Sequence, residues 1–416
     1  MDQQARLLDS QLKYVIEKSD FYRSKFQTES LSIRDFGNLE FTTKKEIIDD
    51  QDENGPFGSN LCVKPNEIQR IHKTSGTTCK PFLIALTAKD ITKTVEVGAS
   101  CFNLSGLSGN DTVVHCLNYN MWAGGYTDHQ SLEKAGAAVI PFGVGKTVEL
   151  IEMMLLIKPT AIHCTPSYLH KIAVILDESF GLKPSDLRIK LGLFGAEPGL
   201  ENREFRANIE SNWGMKAMNA NYGLSEVLSM VAAECTLQAG LHFMGGKYLL
   251  PELLDDKNGR CIDIEDGAVG ELVLTNLSKR AQPLIRYRTG DVVEIISASP
   301  CQCGTIGFRF RIIGRTDDMI VVKGVNIFVS TIAKVINEHL DVLTGQFQVH
   351  INKQKPYDKL IIVAEYRKAT TEVENFTSML QKKFSDRLFL KPQLQIVPEG
   401  TLPLVEGKSK KIFRVL

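Results

Sequence analysis

The feature that most constrains the fold of this chain is an alternation of short apolar runs with longer amphipathic stretches, from about residue 83 to residue 235. The apolar runs are DTVVHCLN, AAVIPFG, TAIHCTP and KLGLFGAE, and the amphipathic stretches are SLEKAG, KTVELIEMMLLIK, YLHKIAVILDES and ENREFRANIESNW. Short apolar runs are typical of buried strands, and longer amphipathic stretches are typical of helices. Because strands joined by helical crossovers pair in parallel, the sequence predicts an α/β domain with a largely parallel sheet.

The segment before this region predicts a helical entry. Apolar residues recur there at helical spacing, at Leu7, Leu8, Leu12, Val15 and Ile16. Thr43 and Glu46 have the spacing of a capping box at the start of a further helix.

Two further regions follow the alternating pattern. Residues 245 to 313 contain short β-like pieces between Gly and Asp turns, which predict a smaller antiparallel β region or barrel. After Gly314 a tail of its own strands and helices predicts a small α+β domain on a hinge. We therefore expect a large domain at 1–314 and a small domain at 315–416.

Composition excludes several classes of protein. The 416 residues carry 49 Lys and Arg against 49 Asp and Glu without basic clustering, so nucleic acid is not an expected partner. No apolar run reaches about 18 residues, which predicts no membrane span, and the first twenty residues lack the apolar core of a signal peptide. Nine cysteines without dense spacing favour a reducing compartment, so we expect a cytoplasmic protein.

The segment KTSGTTCKP at 73–81 is a candidate phosphate-binding loop. Small residues, hydroxyl groups and a terminal lysine offer hydrogen-bond donors and a positive charge to a polyphosphate. The spacing of a Walker A loop is missing. From these residues alone, an ordinary surface loop is the more common interpretation.

Other segments follow this loop in a consistent order: GAEP at 195–198, YGLSE at 222–226, RYRTGD at 286–291, GRTDD at 314–318 and GK at 407–408. With these strings the chain resembles the phenylacetate–coenzyme A ligase family of the adenylate-forming superfamily. The resemblance extends over nearly the whole chain, from DFYRSKF at 20–26 to LPLVEGK at 402–408. It implies a large adenylate-forming domain with a parallel sheet and a smaller β region, followed by a small mobile α+β lid domain.

The resemblance also assigns a nucleotide site. The residues that would hold the β and γ phosphates of ATP are Thr74, Ser75, Gly76, Thr77, Thr78 and Lys80. The residues that would surround the adenine are Gly195, Ala196, Glu197, Pro198, Tyr222, Gly223 and Ser225. Glu226 would reach Mg²⁺, a hard cation that prefers carboxylate oxygen.

Four residues in the later part of the chain complete this assignment. Asp291 would accept hydrogen bonds from the ribose hydroxyls, and Arg315 would contact the ribose and phosphate. Asp317 would be the hinge of the lid. Lys408 would be the catalytic cation, because a carboxylate that attacks the α-phosphate brings two anions together. The neighbouring lysines, and an exposed basic C-terminus without catalytic function, remain alternatives to Lys408.

The acyl site is expected beside the family segments NYNMWAGG and GAEP. The residues expected to line it are Tyr119, Trp122, Gly124, Gly125 and Ala196. Aromatic side chains in an α/β protein also belong often to the core, so a packing role stays open for Tyr119 and Trp122.

Cys235, His242, Cys301 and Cys303 form a second constellation. Three thiolates and one imidazole suit tetrahedral Zn²⁺, and four protein ligands would make the site structural rather than catalytic. The Cys-x-Cys spacing is tighter than the usual zinc knuckle, and only some members of the resembled family carry such a site. The other cysteines are expected to be small apolar residues.

Three residues depart from the family pattern. Cys79 stands where the phosphate loop usually has glycine, which puts the loop geometry in question if that position needs a positive φ. Phe82 replaces a small polar residue, and Leu404 replaces an arginine. None of the three removes a group assigned to the chemistry.

Taken with the resemblance, these motifs predict an ATP-dependent acid ligase. It would activate an aryl or arylacetic acid as acyl-AMP, and it would then transfer the acyl group to coenzyme A. The alternatives are transfer to a carrier-protein thiol, an amine or a hydroxyl, or a non-catalytic nucleotide-binding protein of the same fold. The expected cofactors are ATP, Mg²⁺, coenzyme A and structural Zn²⁺. The partners are small molecules, and a homodimer is left open.

Overall fold

The structure is a computed structural model. It describes residues 3–74, 82–197, 199–255, 258–316, 319–323, 325–340, 342–353, 357–367, 373–402 and 411–415. The chain divides into a first unit at 1–201, 208–289 and 293–311, and a second unit at 202–207, 290–292 and 312–416. None of the helices in the described ranges combines the length and apolar character that crossing a bilayer requires.

Three helices form the entry segment: α1 (Gln3–Lys18), α2 (Asp20–Phe26) and α3 (Lys44–Asn54). The Thr43 hydroxyl accepts from the backbone N–H of Glu46, and the Glu46 side chain accepts from the backbone N–H of Thr43, so the predicted capping box is confirmed. The apolar stripe of α1 is also confirmed. It packs into a core cluster of Leu8, Leu12, Val15, Ile16, Tyr22, Leu31, Leu39, Leu277 and Ile285.

The alternating region folds as predicted. A hairpin of β1 (Arg70–Lys73) and β2 (Leu83–Leu86) precedes it. Five strands and five helices then alternate: α4 (Ala88–Leu104), β3 (Thr112–His115), α5 (Ala123–Lys134), β4 (Ala138–Ile140), α6 (Thr147–Ile157), β5 (Ala161–Cys164), α7 (Pro166–Phe180), β6 (Leu191–Gly195), α8 (Arg203–Trp213) and β7 (Lys216–Leu224). Neighbouring strands among these five are parallel, which confirms an α/β domain with a parallel sheet.

Antiparallel strands extend the same sheet. They are β8 (Leu228–Glu234), β9 (Leu241–Phe243), β10 (Leu249–Asp255), β11 (Arg260–Ile262), β12 (Val269–Asn276), β13 (Tyr287–Ser297) and β14 (Arg309–Arg315). The order of the twelve strands is β11-β10-β12-β13-β14-β9-β8-β7-β6-β5-β3-β4. The predicted smaller β region therefore exists, but its strands continue the parallel ones in one mixed sheet instead of closing a separate barrel.

The parallel strands fix the edge at which a site can form. The side chains of Val113, Ile162 and Leu193 in the middle of this sheet are fully buried, because helices cover both faces. Parallel strands end at one common edge, and loops that follow their carboxyl ends lie close together there. The predicted segments NYNMWAGG, TPSYL, GAEP and YGLSE all follow or end such strands.

The second unit contains its own α+β core. Its elements are β15 (Met319–Val322), β16 (Val325–Phe328), α9 (Val329–Asn337), β17 (Leu343–Ile351), β18 (Leu360–Tyr366), α10 (Val373–Leu388), β19 (Gln393–Pro398) and β20 (Ile412–Arg414). The sheet order β19-β18-β17-β20 mixes parallel and antiparallel pairs. The expected α+β character of the tail is confirmed. A domain boundary at Gly314 and a moving lid stay predictions.

Candidate active site

Glu226 lies in the tight turn that joins β7 to β8. The turn is closed by a hydrogen bond from the backbone N–H of Val227 to the carbonyl oxygen of Leu224, at 3.0 Å. Glu226 is only 9% exposed. The hydroxyl of Tyr287 donates to its carboxylate oxygen Oε1 at 2.8 Å. A buried carboxylate held in one orientation is a suitable ligand for a hard divalent cation.

Lys279 contacts the same residue from the segment that joins β12 to β13. Its ammonium group donates to the backbone carbonyl oxygen of Glu226. Burial lowers the pKa of Lys279 to about 8, although the negative charges of Asp90 and Glu226 act in the opposite direction. The sequence analysis missed Lys279, because a lysine in a connecting segment carries no pattern that distinguishes it from a solvated one.

Residues 195–197 of the GAEP segment form a strained turn at the end of β6. Ala196 adopts φ +65°, a left-handed conformation that costs a residue with a Cβ about 1 kcal/mol or more. The Glu197 carboxylate accepts from the hydroxyl of Ser167 at 2.8 Å and from its backbone N–H at 3.2 Å. Because Ser167 lies in the first turn of α7, this contact ties the turn to the helix that precedes β6, and the helix dipole favours a carboxylate at this end.

Tyr222 and Gly223 occupy the end of β7. The ring of Tyr222 is buried and packs edge-on against Phe310, with 5.6 Å between the ring centres. A Cβ on Gly223 would lie 2.0 Å from the carbonyl oxygen of Ser229 on β8, so only glycine fits this position. Ser225 follows in the turn that contains Glu226. The role of the Tyr222 ring toward adenine stays a prediction.

Of the predicted acyl-site residues, Tyr119 and Trp122 lie between β3 and α5, Gly124 and Gly125 lie in the first turn of α5, and Ala196 follows β6. The hydroxyl of Tyr119 and Nδ1 of His129 are 3.0 Å apart, and Nε2 of His129 lies 3.2 Å from the Glu133 carboxylate. Burial is the main cause that raises the pKa of the Tyr119 hydroxyl. The Tyr119 hydroxyl is therefore neutral, and His129 and Glu133 on α5 fix its position in sequence, one holding the next. The sequence analysis identified neither of these two residues.

Two glycines allow the loop after β3 to approach the start of α5. A Cβ on Gly125 would lie 2.1 Å from the carbonyl oxygen of Asn118, and one on Gly124 would lie 2.8 Å from the Trp122 ring. Trp122 is the residue directly before α5. Gly125 therefore allows a close approach of two backbone segments, and Gly124 leaves room for the Trp122 ring.

A pair of buried histidines connects β3 to β5 behind this loop. His115 and His163 stack with 4.9 Å between their ring centres, and their Nδ1 atoms are 2.8 Å apart. Nε2 of His115 lies 2.8 Å from the Gly125 carbonyl oxygen, which can only accept, so this nitrogen carries the proton of the neutral ring. Burial lowers the pKa of His115 to about 4, and it also lowers that of His163.

Asp291 and Arg315 lie together in the second unit. The Arg315 guanidinium donates to Oδ1 of the Asp291 carboxylate, which is buried. The backbone N–H of Thr316 donates to the Gly290 carbonyl oxygen at 2.7 Å, which fixes the neighbouring chain. The two residues assigned to the ribose and phosphate are thus paired with each other, Asp291 as the acceptor and Arg315 as the donor.

Cys235, His242, Cys301 and Cys303 converge in the first unit. Their ligand atoms all lie within 4.8 Å of one another. The Sγ atoms of Cys235 and Cys301 are 4.0 Å apart, and Sγ of Cys303 is 3.8 Å from Nε2 of His242. Thiolates at about 2.3 Å from a tetrahedral Zn²⁺ would be about 3.8 Å apart, so the four residues fit this ion.

The protonation states in this cluster differ from residue to residue. Burial lowers the pKa of His242 to about 4, so its imidazole is neutral and able to bind metal at pH 7. Burial raises the pKa of Cys235 to about 11. For Cys303 burial acts in the same direction, but hydrogen bonds with Thr305, Cys301 and Cys235 bring its pKa down to about 7. Cys303 therefore loses its proton more easily than Cys235.

Part of the predicted site falls outside the described residues. This applies to Ser75, Gly76, Thr77, Thr78, Lys80, Pro198, Asp317 and Lys408. Thr74 is described, and it pairs with Phe82 at the base of the candidate phosphate loop. Its backbone N–H donates to the carbonyl oxygen of Phe82 at 3.1 Å, and its hydroxyl accepts from the backbone N–H of Phe82 at 3.1 Å.

Two family models match the chain. The model described as AMP-binding enzyme matches residues 3–277, and the model described as AMP-binding enzyme C-terminal domain matches residues 324–414. The matched ranges together include most of both units. A large AMP-binding domain followed by a characteristic C-terminal domain defines the class of adenylate-forming enzymes, and this chain has both.

Curated relatives narrow the class. A phenylacetate–coenzyme A ligase of Pseudomonas putida is 30% identical, and the match covers 97% of this chain and 91% of the relative. One of Aromatoleum evansii is 32% identical, with 85% and 79% covered. A crystal structure of 2-hydroxyisobutyryl-CoA ligase in complex with R3-HIB-AMP has the same fold, at a TM-score of 0.87 and 24% identity, with 99% and 88% covered. The chain belongs to the phenylacetate–coenzyme A ligase family.

Proposed function

We propose that this protein is an ATP-dependent acid–coenzyme A ligase that acts on an aryl or arylacetic acid. The observation that carries the proposal is the match to phenylacetate–coenzyme A ligases over nearly the full length of both chains. The buried Glu226 in the turn after β7 and the Asp291–Arg315 pair supply groups of the type that this chemistry requires.

In the first half-reaction an oxygen of the substrate carboxylate attacks the α-phosphorus of ATP. An acyl–phosphate bond forms, the bond to the bridging oxygen breaks, and pyrophosphate leaves. Lys408 is the cation proposed to offset the repulsion between carboxylate and phosphate. Glu226 would hold Mg²⁺, which supplies positive charge to the phosphates when bound. The loop at 74–80 would surround the β and γ phosphates.

The nucleoside would be held by two groups of residues. Asp291 would accept from the ribose hydroxyls, and Arg315, already beside it, would contact the ribose and phosphate. The GAEP and YGLSE segments would surround the adenine. Ala196 in the GAEP segment has a left-handed backbone conformation, which points the neighbouring N–H and C=O groups in directions that a regular strand does not offer.

The acid would lie beside Tyr119, Trp122, Gly124, Gly125 and Ala196. On α5, His129 holds the Tyr119 hydroxyl and Glu133 holds His129. These contacts fix the orientation of the Tyr119 ring, which supports its proposed contact with an aryl group. A fixed aromatic side chain beside small residues would suit a flat apolar substrate.

In the second half-reaction the sulfur of coenzyme A would attack the acyl carbon. A thioester forms, AMP leaves, and the thiol proton is released. The same site would serve both steps if the C-terminal lid turns about Asp317, so that residues 322–328 replace Lys408. The structural feature that supports this proposal is the separate hydrophobic core of the tail.

We also propose one structural zinc ion per chain, held by Cys235, His242, Cys301 and Cys303. The distances among the four ligand atoms support it, and a closed shell of four ligands leaves no position for substrate. None of the eight described cysteines forms a disulfide, which supports a cytoplasmic location. A homodimer stays a prediction, which light scattering would test.

The proposal is tested by separating the two half-reactions. Purified protein, ATP and Mg²⁺ are screened for pyrophosphate release over aryl, arylacetic and aliphatic acids, and products are identified by mass spectrometry with and without coenzyme A. We expect an acyl-adenylate without acceptor and a thioester with coenzyme A. An adenylate that never becomes a thioester would indicate another acceptor. No adenylate from any acid would contradict the ligase assignment.

A further inference from the structure

A buried lysine without a catalytic assignment lies against the proposed magnesium ligand. Lys279 is 6% exposed, and its ammonium group donates to the backbone carbonyl oxygen of Glu226. An ammonium group loses its hydration on burial, so a lysine in such a position needs compensating contacts. Here the ammonium group of Lys279 contacts the backbone of Glu226, the residue of this turn that is proposed to bind Mg²⁺.

The segment that carries Lys279 is itself held in a fixed position. The Asp90 carboxylate accepts from the backbone N–H groups of Arg280 at 2.8 Å and Ala281 at 3.0 Å. The side-chain amide of Gln11 donates to the carbonyl oxygen of Lys279 at 2.9 Å. Because two helices, α1 and α4, anchor this backbone, Lys279 reaches Glu226 from a rigid base.

Glu226 is therefore held at both ends. Lys279 binds its backbone carbonyl oxygen, while the Tyr287 hydroxyl binds Oε1 of its carboxylate at 2.8 Å. A small cavity beside the two residues is lined by Ile47, Asn60, Phe82, Ile84, Glu226, Lys279, Gln282 and Leu284. Phe82, which lines this cavity, also donates its backbone N–H to the Thr74 hydroxyl, so Glu226 and the described base of the candidate phosphate loop lie around the same cavity.

We propose that Lys279 is a positioning residue for Glu226. By fixing the backbone of the turn after β7, it keeps the carboxylate where Oε2 can bind the Mg²⁺ of the bound nucleotide. The inference rests on the proposed role of Glu226. It extends that role to a residue that touches neither metal nor nucleotide.

The test uses Mn²⁺ as a magnetic probe for Mg²⁺ and the full-length protein with an ATP analogue that cannot be cleaved between its α and β phosphates. Mn²⁺ affinity of the protein–nucleotide complex is measured by water proton relaxation. In Lys279→Met we expect Mn²⁺ to bind at least tenfold more weakly, while the affinity for the nucleotide without metal is unchanged. Glu226→Gln should lose the same Mn²⁺ site.

The matched control is Lys93→Met. Lys93 is half-buried, and its ammonium group donates to the backbone carbonyl oxygen of Ser278, next to Lys279. It thus makes the same type of contact in the same segment without touching Glu226. We expect Mn²⁺ affinity in this control to equal that of the wild type.

Several results would overturn the proposal. They are unchanged Mn²⁺ affinity in Lys279→Met, an equal loss in Lys93→Met, or wild-type Mn²⁺ binding in Glu226→Gln. A parallel loss of nucleotide affinity without metal would instead make Lys279 a direct nucleotide contact. If Lys279→Met does not fold, Lys279→Gln decides by the same criteria. The titration needs no acid substrate, so a failure to form acyl-adenylate would count against the proposed function and not against Lys279.

Discussion

Two polar clusters in the first unit are held in place by different means. Glu226 is oriented by Tyr287 and Lys279, which belong to the protein's own hydrogen-bond network. The ligand atoms of Cys235, His242, Cys301 and Cys303 chiefly face one another. The first arrangement is complete before any ligand binds, whereas the second brings together groups that a metal ion would stabilise. Substitutions at the first should change chemistry, and substitutions at the second should change stability.

The largest effect is expected for Lys408→Ala. It should slow acyl-AMP formation at least about a hundredfold, because the cation is needed while carboxylate and phosphate approach each other. Transfer from a supplied acyl-adenylate should be largely spared. The two half-reactions are assayed separately, with Lys410→Ala and Lys411→Ala as controls. If adenylation stays within about tenfold of wild type, roughly 1.4 kcal/mol, another lysine is the catalytic cation.

The next largest effect is expected in the cluster of three cysteines and one histidine. Cys301→Ser should remove the bound zinc and lower the free energy of unfolding by several kcal/mol, because the metal links segments 66 residues apart in sequence. The folded fraction should keep its adenylation rate. Metal analysis and thermal unfolding are compared with Cys261→Ser, a cysteine outside the cluster. Protein without stoichiometric zinc, or a variant of wild-type stability, would contradict the structural zinc.

These two clusters also differ in what the sequence reveals. The four residues could be grouped from the sequence because three cysteines and one histidine make up the donor set of a tetrahedral zinc site, and the structure brings them together. The alternation of strands and helices was predictable because burial of parallel strands requires apolar runs. In contrast, the junction of the antiparallel strands with the parallel sheet depends on pairings between distant segments, such as Ala233 with His242. No local pattern records such a pairing.

Residues that hold the active site were missed for a related reason. Lys279 binds a backbone oxygen, Ser167 binds Glu197, and the His115 ring lies against His163. Each contact joins segments that only the fold brings together, and backbone atoms carry no sequence signal. The motifs therefore indicate which residues take part in the chemistry, while the structure is needed to find what positions them.

Acid should weaken the region around β3 and β5. The pKa of His115 is about 4, below the ordinary value near 6.5, so the unfolded chain binds protons first as pH falls. Stability is complete above about pH 6.5 and decreases toward pH 4, with a loss of about 2 kcal/mol at pH 5 from His115. Chemical unfolding is measured at pH 7.5 and pH 5 in the zinc-free Cys301→Ser background, so that zinc release does not contribute. His115→Gln should reduce the difference, and equal stability at both pH values would contradict the buried neutral pair.

The smallest effect is expected for Ala196→Gly. Glycine adopts φ +65° without the strain of a Cβ, so the variant should gain up to about 1 kcal/mol of stability. The matched control is Ala217→Gly in β7, where a buried alanine has no recorded positive φ and glycine should cost about 1 kcal/mol. Because Ala196 is proposed to touch the acid, its loss of a methyl group should raise the KM of the best acid a few-fold while the KM for ATP stays constant. Destabilisation equal to the control would show that the turn stores no strain, and an unchanged KM for the acid would place the Ala196 methyl group away from the acyl site.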